Sequence, residues 1–569
     1  MNLQHYIHYI ILGIFIIFLP LFMDHKENVM ICNYGILAFS AFSVTLFSIT
    51  NLSKNYQTTK LDICICCLFA WMLIDSFWIN DRVLSDEKLI LIITSFIVYF
   101  TSKLTTLWTE KVLAIIIMLG GFLQSLIAWC QCFEVLDSNH LEFMMTGSFY
   151  NPAHLGAYTG LSIICTIYLL YAYYQRMKFY RCIVLSFLFL SMFGVLILSF
   201  SRASWVALSI ILLLVLWKYH IFKYKTYCGM AFLIFISLLP LLYQLKKASA
   251  DGRLFIWNVS KELVSSAPLL GRGADSFTAE YMLAQADFFE RYPNSEYRMN
   301  ATDNVHAFNE YLRITCEYGI IGLLFLGVIL FLAIKSKGNT LIKWMVGYIC
   351  IFACFSYVVE VSALLIVCSI FMGKLSNNSH IQYTYQHNSP WPIAICFSGI
   401  ILFSLFRCQQ EKCLSNYLSA YTETKGEDVE QKLLAKYRSN RYNRTFVLRC
   451  AHQLYNSKNY IVALPYLQQA FLLSPVSEIC MDLGNCFYYL EDSEKAEYYL
   501  TKAHYMVPSH ILPRYYLFRI YAKQGDIQKA YSYGTAILSE EFKKEGSVAM
   551  EVKYRIKKYL DENFKNAIK

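Results

Sequence analysis

Long apolar runs recur through residues 1–407, and they leave room for little except helices that cross a membrane. A spanning helix needs about 20 apolar residues. Windows near that length fall at 6–22, 30–50, 61–79, 88–102, 111–133, 153–173, 182–200, 203–218, 226–243, 317–335, 341–358, 359–375 and 391–407, which predicts about thirteen spans. The stretch 341–375 reads as a hairpin rather than one tilted helix, because Glu360 sits at its centre. A hydrophobic share of 57% over 569 residues supports a multi-pass protein. Residues 408–569 are polar and charged, so a second, soluble unit follows. The expected fold is all-α: a polytopic helical bundle over 1–407 with a large outer loop at 244–316, a linker at 408–443, and a soluble helical array over 444–569.

A net charge of +10 would suggest a nucleic-acid partner in a soluble protein. Here the basic residues gather in short loops. With the N-terminus in the cytoplasm, Lys54, Lys60, Lys103, Lys111, Arg181, Lys218 and Lys343 lie inside, and the short outer loops keep only Lys26, Arg82, Lys88 and Arg202. Membrane orientation explains that bias, so no nucleic-acid partner is expected, and the 244–316 loop falls outside, on the periplasmic face of an inner membrane. Nineteen cysteines lie mostly inside apolar runs, as Cys64, Cys66, Cys67, Cys130, Cys132 and Cys368 do, and read as small apolar side chains. No CxxC has a matching second half, so no zinc, other metal or cofactor is expected. The first 22 residues lack a basic n-region and a small-residue cleavage site, and read as a retained span.

The outer side carries the polar residues of interest. Gly147-Ser148-Phe149-Tyr150-Asn151-Pro152 opens a span containing Gly156 and Gly160, either as a plain helix start or as backbone that lets a ligand or another helix come close. Arg202 stands between two apolar runs, where it must reach the interface or meet an anion. In the outer loop, Asp251–Val264 and residues 276–291 have apolar residues at helical spacing and read as amphipathic helices on the membrane surface, with a Gly271-Arg272-Gly273 turn between them. If 303–316 is helical, His306, Asn309 and Arg313 share a face. Histidine alone has an ordinary pKa near neutrality, which suits a general base for a hydroxyl nucleophile.

Four segments in order, GSFYNPAHLGAYTG (147–160), FSRASWVAL (200–208), GRLFIWNVSKELVSSAPLLGRGADSF (252–277) and HAFNEYLRITCEYGIIG (306–322), resemble the O-antigen ligase and polymerase superfamily of bacterial envelope glycosyltransferases. The resemblance covers residues 1–375. It implies metal-independent, inverting transfer of a glycan from a polyprenyl diphosphate, typically undecaprenyl, to an acceptor hydroxyl on the outer face of the cytoplasmic membrane. The acceptor is lipid A-core for a ligase, a growing glycan for a polymerase, or protein for an O-oligosaccharyltransferase. His306 matches the family histidine, as base or as a diphosphate-binding imidazolium, and Arg202 and Arg253 match the diphosphate-binding arginines, with Arg272 a third. Asn151, Asn309 and Glu317 stand as supporting residues. The family often has His followed directly by Asn, whereas Ala307 and Phe308 intervene here before Asn309. A lipid-linked glycan transporter is the non-enzyme alternative.

After Arg407 a repeat appears. Ala463, Ala496 and Ala530 recur at intervals of 33 and 34, and Pro475 and Pro508 at 33. The spacing resembles tetratricopeptide repeats over 444–540 with a capping helix to about 560, an array that binds a protein partner or acceptor rather than doing chemistry. An odd number of spans puts this tail on the same side as His306, whereas a single crossing over 341–375 would put it in the cytoplasm.

Overall fold

The computed structural model describes residues 10, 13–22, 29–50, 55–79, 85–105, 108–173, 179–218, 240–377, 381–386, 391–424, 435–437, 440–543 and 546–564, with 229, 233, 236–237 and 379. The expected spans at 6–22 and 226–243 lie partly outside these residues, and the loop charges Lys26, Lys54 and Arg82 wholly so. In chain order the first helices are α1 (Val29–Thr50), α2 (Lys60–Ile74), α3 (Asp86–Leu104), α4 (Glu110–Cys132), α5 (Pro152–Tyr173), α6 (Phe179–Leu198) and α7 (Arg202–Lys218). The outer loop contributes α8 (Lys247–Ser266) and α9 (Ser276–Arg291), and α10 (Glu310–Lys335), α11 (Thr340–Ala353), α12 (Ser362–Asn377) and α13 (Trp391–Thr424) complete the bundle. The tail holds α14 (Arg444–Asn456), α15 (Tyr460–Leu473), α16 (Ser477–Tyr489), α17 (Ser493–Met506), α18 (Ile511–Gln524), α19 (Ile527–Ser539) and α20 (Ser547–Phe564). A short antiparallel pair, β1 (Asn55–Thr59) and β2 (Ile381–Gln386), sets Asn55 opposite Gln386.

Among the described residues, α4, α5, α6, α10 and the first 26 residues of α13 are long and apolar enough to cross a membrane. These five correspond to the windows expected to span at 111–133, 153–173, 182–200, 317–335 and 391–407. The windows at 203–218, 341–358 and 359–375 form helices of 17, 14 and 16 residues. Fourteen residues rise only about 21 Å, less than the hydrocarbon thickness. The shortening has a local cause: between α11 and α12 the chain leaves the helix at 354–361 and makes a hairpin tip.

The glycines of the 147–160 segment serve helix packing. A Cβ on Gly156 would overlap the Ser201 side chain, and one on Gly160 would overlap the Tyr348 ring. This draws α5, α7 and α11 together directly beneath Arg202. At the opposite end of the bundle, Asp62 closes a capping box with Thr59 and pairs with Lys103, both buried. The other end of α3 carries Asp86, Glu87 and Lys88. Here Arg407 of α13 lies 3.5 Å from Asp86, and the Thr445 amide donates to Glu87 at 3.1 Å. The tail therefore begins at the end of the bundle away from the β1–β2 pair.

The outer-loop helices are amphipathic, but protein covers their apolar faces. Phe255, Val259 and Leu263 of α8 and Phe277, Tyr281, Met282 and Phe289 of α9 share one buried cluster with Cys480, Ala503, Met506 and Val507 of the tail. The expectation that they lie on the membrane surface is corrected by this packing: periodicity identifies the apolar face but not what covers it. Buried aromatic side chains contribute about 1.5–3 kcal/mol each, so the tail is bound to the loop through a true core. In the tail each helix packs on the next. Ala463, Ala470, Ala496, Ala503 and Ala530 are fully buried, and Pro475 and Pro508 stand just beyond the ends of α15 and α17.

Helix α10 is broken at Gly319, whose φ of 64° and ψ of −166° belong to glycine. The Pro268–Gly273 turn fills the break. Arg272 and Gly273 amides donate to the Cys316 and Glu317 carbonyls at 3.0 and 2.9 Å, and the Ile320 amide donates to Pro268 at 2.9 Å. A Cβ on Gly319 would overlap the Leu269 carbonyl, and one on Gly271, at φ 78°, the Glu317 carbonyl. Gly319→Ala should therefore lose about 1–3 kcal/mol from backbone strain alone, with overlap added. Thermal unfolding of the purified protein in detergent should show a clearly lowered midpoint; unfolding together with the wild type would contradict this docked break.

Candidate active site

The polar segment before α10 is not helical over 301–307, and the helix begins only at Glu310. Asn309 is its N-cap, accepting the Leu312 amide at 3.1 Å. The shared helical face expected for His306, Asn309 and Arg313 is corrected accordingly: Phe308, at φ 50°, turns the chain before the helix starts. His306 is held through its backbone. The Asn304 side chain donates to the His306 carbonyl at 2.7 Å, and Trp257 of α8 donates to the Ala307 carbonyl at 3.0 Å.

The His306 imidazole lies flat on Tyr357 of the hairpin tip, with ring centroids 3.9 Å apart and planes 11° from parallel. Its Nδ1 edge meets the Glu360 carboxylate. Tyr357 is fixed in turn by Asn151, which donates to its hydroxyl oxygen at 3.1 Å, and by the buried edge of His154 at 4.6 Å. Burial alone would raise the Glu360 carboxyl. The His306 imidazole, with Arg313 and Lys88 behind it, outweighs burial and holds it at about 2. Glu360 is thus an anion set against Nδ1. Among the described residues no side chain bonds to His306 Nε2, and the His306 side chain stays 30% exposed.

Cations gather next to this pair. The Arg253 guanidinium lies 5.1 Å from the centre of the Phe308 ring, which itself meets His306 and Tyr357, and donates to the Phe355 carbonyl at 2.8 Å. Arg202 donates to the Leu242 carbonyl at 2.9 Å. Burial and the neighbouring Arg202 bring Arg253 down to about 10, so it keeps its charge at neutral pH. Partial desolvation, then Arg202 and Arg253, lower Lys246. None of these three cations meets a carboxylate among the described residues. Like charges in mutual reach with no anion between them form a site that an anion would stabilise.

A buried chain of alternating charge supports the hairpin tip from behind. Glu310 accepts the Val358 and Val359 amides at 2.7 and 2.8 Å and pairs with Arg313 at 2.7 Å. Arg313 pairs with Glu317 at 2.8 Å, and Glu317 with Lys88 at 2.7 Å. Lys88 lies 3.5 Å from Asp275, which also takes Arg444 of the tail and the Ser85 hydroxyl. Burial pushes the Asp275 carboxyl up, but Arg444 and Lys88 hold it well below the usual carboxylate range.

The residues singled out in the sequence are thus divided. His306, Asn151 and Arg253 meet around Tyr357 and Phe308, with Arg202 adjacent. Arg272 does not join them: its guanidinium pairs with Glu280 and its amide helps fill the Gly319 break. Asn309 caps a helix, and Glu317 belongs to the buried charge chain. Sequence reasoning missed Glu360, Tyr357, His154 and Lys246 as site residues. An acid in the middle of an apolar window was the available signal for Glu360. No group of three or more His, Cys, Asp or Glu side chains is placed to hold a metal among the described residues.

Residues 187–327 match the family described as O-antigen ligase, a stretch that contains Arg202, Arg253, Arg272 and His306. The match supports the O-antigen ligase superfamily. It indicates a multi-pass membrane glycosyltransferase of ligase or polymerase type, acting on a lipid-linked glycan donor and a glycan acceptor. The hairpin tip with Tyr357 and Glu360 lies beyond the matched stretch. No curated protein matches the chain.

Asp275→Asn should expose the worth of the charge chain. Removing one member leaves buried charge uncompensated, at a cost of about 3–5 kcal/mol. A carboxyl with a depressed folded pKa stabilises the fold above its unfolded pKa, about 3.9, and loses that contribution as pH falls through the folded value. Wild-type melting temperature should therefore fall with acid, and the difference from Asp275→Asn should narrow. A variant as stable as wild type at pH 7 would contradict the chain.

Proposed function

We propose that this protein transfers a glycan from polyprenyl (undecaprenyl) diphosphate to an acceptor hydroxyl at the outer face of the inner membrane, with ligation to lipid A-core as the reaction. Polymerisation of glycan repeats and transfer to protein hydroxyls use the same chemistry and differ in the acceptor. The observation that carries this reading is the set of three cations without a carboxylate, Arg202, Arg253 and Lys246, beside a histidine backed by Glu360.

Glu360 keeps the imidazole proton on Nδ1, and Nε2 takes the proton of the acceptor hydroxyl as it attacks the anomeric carbon. The new C–O bond forms as the bond from that carbon to the diphosphate breaks, and the carrier diphosphate leaves with the electron pair. A single displacement of this kind inverts the anomeric centre. The imidazolium that results is stabilised by the adjacent carboxylate. Charge growing on the diphosphate is met by guanidinium groups, which pair with phosphate oxygens bidentately and stay ionised. Arg272, engaged with Glu280, is left out of this role.

The tail packs on the outer loop, which supports a position on the same face as His306, in the periplasm if the loop lies there. Its stacked helices and buried alanines support the tetratricopeptide reading. We read the array as a support for the loop and a surface for a protein partner or acceptor.

Vesicles carrying the protein and a polyprenyl diphosphate-linked glycan provide the test. His306→Ala should reduce transfer by about 10²–10⁴-fold, the usual worth of a general base, with the fold intact. Arg253→Ala should impair transfer more than Arg253→Lys, because an ammonium keeps the charge but not the two-pronged geometry. A folded His306→Ala protein with wild-type rates contradicts the mechanism, and the molecule that acquires the glycan identifies the acceptor.

A further inference from the structure

Bordered by Phe308 and Arg253 lies a cavity of about 280 Å³, near the lower end of the range for small-molecule sites. Phe255, Ile256 and Phe308 supply its apolar surface, and Ser249, Asn300 and Thr302 bring polar side chains to it. These three polar side chains hydrogen-bond to no other described residue. The tail completes the wall with Lys543. The segment bearing Lys543 is fastened to the outer loop by Glu540, which pairs with both Arg298 of the loop and Arg514 of α18, and by buried Phe542.

Aromatic and aliphatic faces beside uncommitted hydroxyl and amide groups match a pyranose ring, which has an apolar C–H face and a rim of hydroxyls that donate and accept. We propose that this cavity binds one sugar residue of the glycan, held between the outer loop and the tail next to the reaction centre. The inference rests on the glycan-transfer reading above and extends it: the tail contributes part of the substrate site. The chemistry is that of a hydroxyl-rich ring, which the donor glycan or a glycan acceptor could each supply. The two cavity walls nearest the reaction centre are shared with it. Arg253 and Phe308 border the cavity as well as the His306 site, and the Asn304 side chain lines it while holding the His306 backbone. A sugar bound here would sit adjacent to the one that reacts.

Gly252 provides a clean block. A Cβ there meets only the Asn300 carbonyl, at 4.0 Å, so Gly252→Phe can enter the cavity without a backbone clash. Thr302→Val removes a hydroxyl at constant shape and serves should Gly252→Phe fail to fold. The probe is the glycan freed from its carrier by mild acid, titrated calorimetrically into the full-length protein in detergent. Binding should weaken about tenfold or more in Gly252→Phe and several-fold in Thr302→Val, where tenfold corresponds to about 1.4 kcal/mol. Equal binding by folded variants, or no binding by wild type, overturns the proposal. Transfer by the wild type is scored separately, so failure of the cavity and failure of the transferase reading give different results. In the transfer assay, competition of the free glycan against donor assigns the cavity to the donor glycan, and competition against acceptor assigns it to the acceptor.

Discussion

The arrangement depends on one buried run of charges, Glu310, Arg313, Glu317, Lys88, Asp275 and Arg444, in which acid and base alternate and the total is neutral. Glu310, Arg313 and Glu317 are almost wholly buried. Such a run is tolerable in an apolar bundle only because each charge has a partner; removing one leaves a desolvated charge exposed to no compensation. Its members come from α10, α3, the outer loop and the tail. Closing the chain therefore fixes four separate pieces of sequence in one register.

That register sets the chemistry. Through the Val358 and Val359 amides, Glu310 anchors the hairpin tip that presents Tyr357 and Glu360 to His306. The break in α10 at Gly319 serves the same end, since the turn that fills it leads directly into Asp275 and α9. The cations gather beside His306 and Glu360, and among the described residues none of them is bonded to a carboxylate. Acids neutralised within the scaffold and arginines left unpaired at the surface of the site follow from one division of charge, and that division prepares a place for an anionic leaving group.

Much of this was legible in the sequence, for physical reasons that also mark where legibility ended. Apolar windows and loop charges revealed a membrane bundle, and the recurring alanines revealed a helical tail. Arg202 was visible because a charge at the rim of an apolar segment is costly without a purpose, whereas His306 and Arg253 were singled out through the family resemblance. Glu360 and Tyr357 were hidden inside an apolar window, and only a hairpin tip, not composition, brings them to a histidine over 50 positions earlier. Arg272 stood third after Arg202 and Arg253 in sequence, and its partner Glu280, one helix turn into α9, keeps it out of the site. The apolar faces of α8 and α9 were evident from spacing, whereas the tail that covers them is a tertiary fact that no local pattern encodes.

The central claim is that Glu360 makes His306 a base. Single-turnover transfer measured across pH for Glu360→Gln, with folding checked by thermal unfolding, tests it most directly. Without the carboxylate that orients the imidazole and stabilises the imidazolium formed in the reaction, the rate should fall about 10-fold or more across the profile. A profile and plateau that coincide with the wild type would contradict the account.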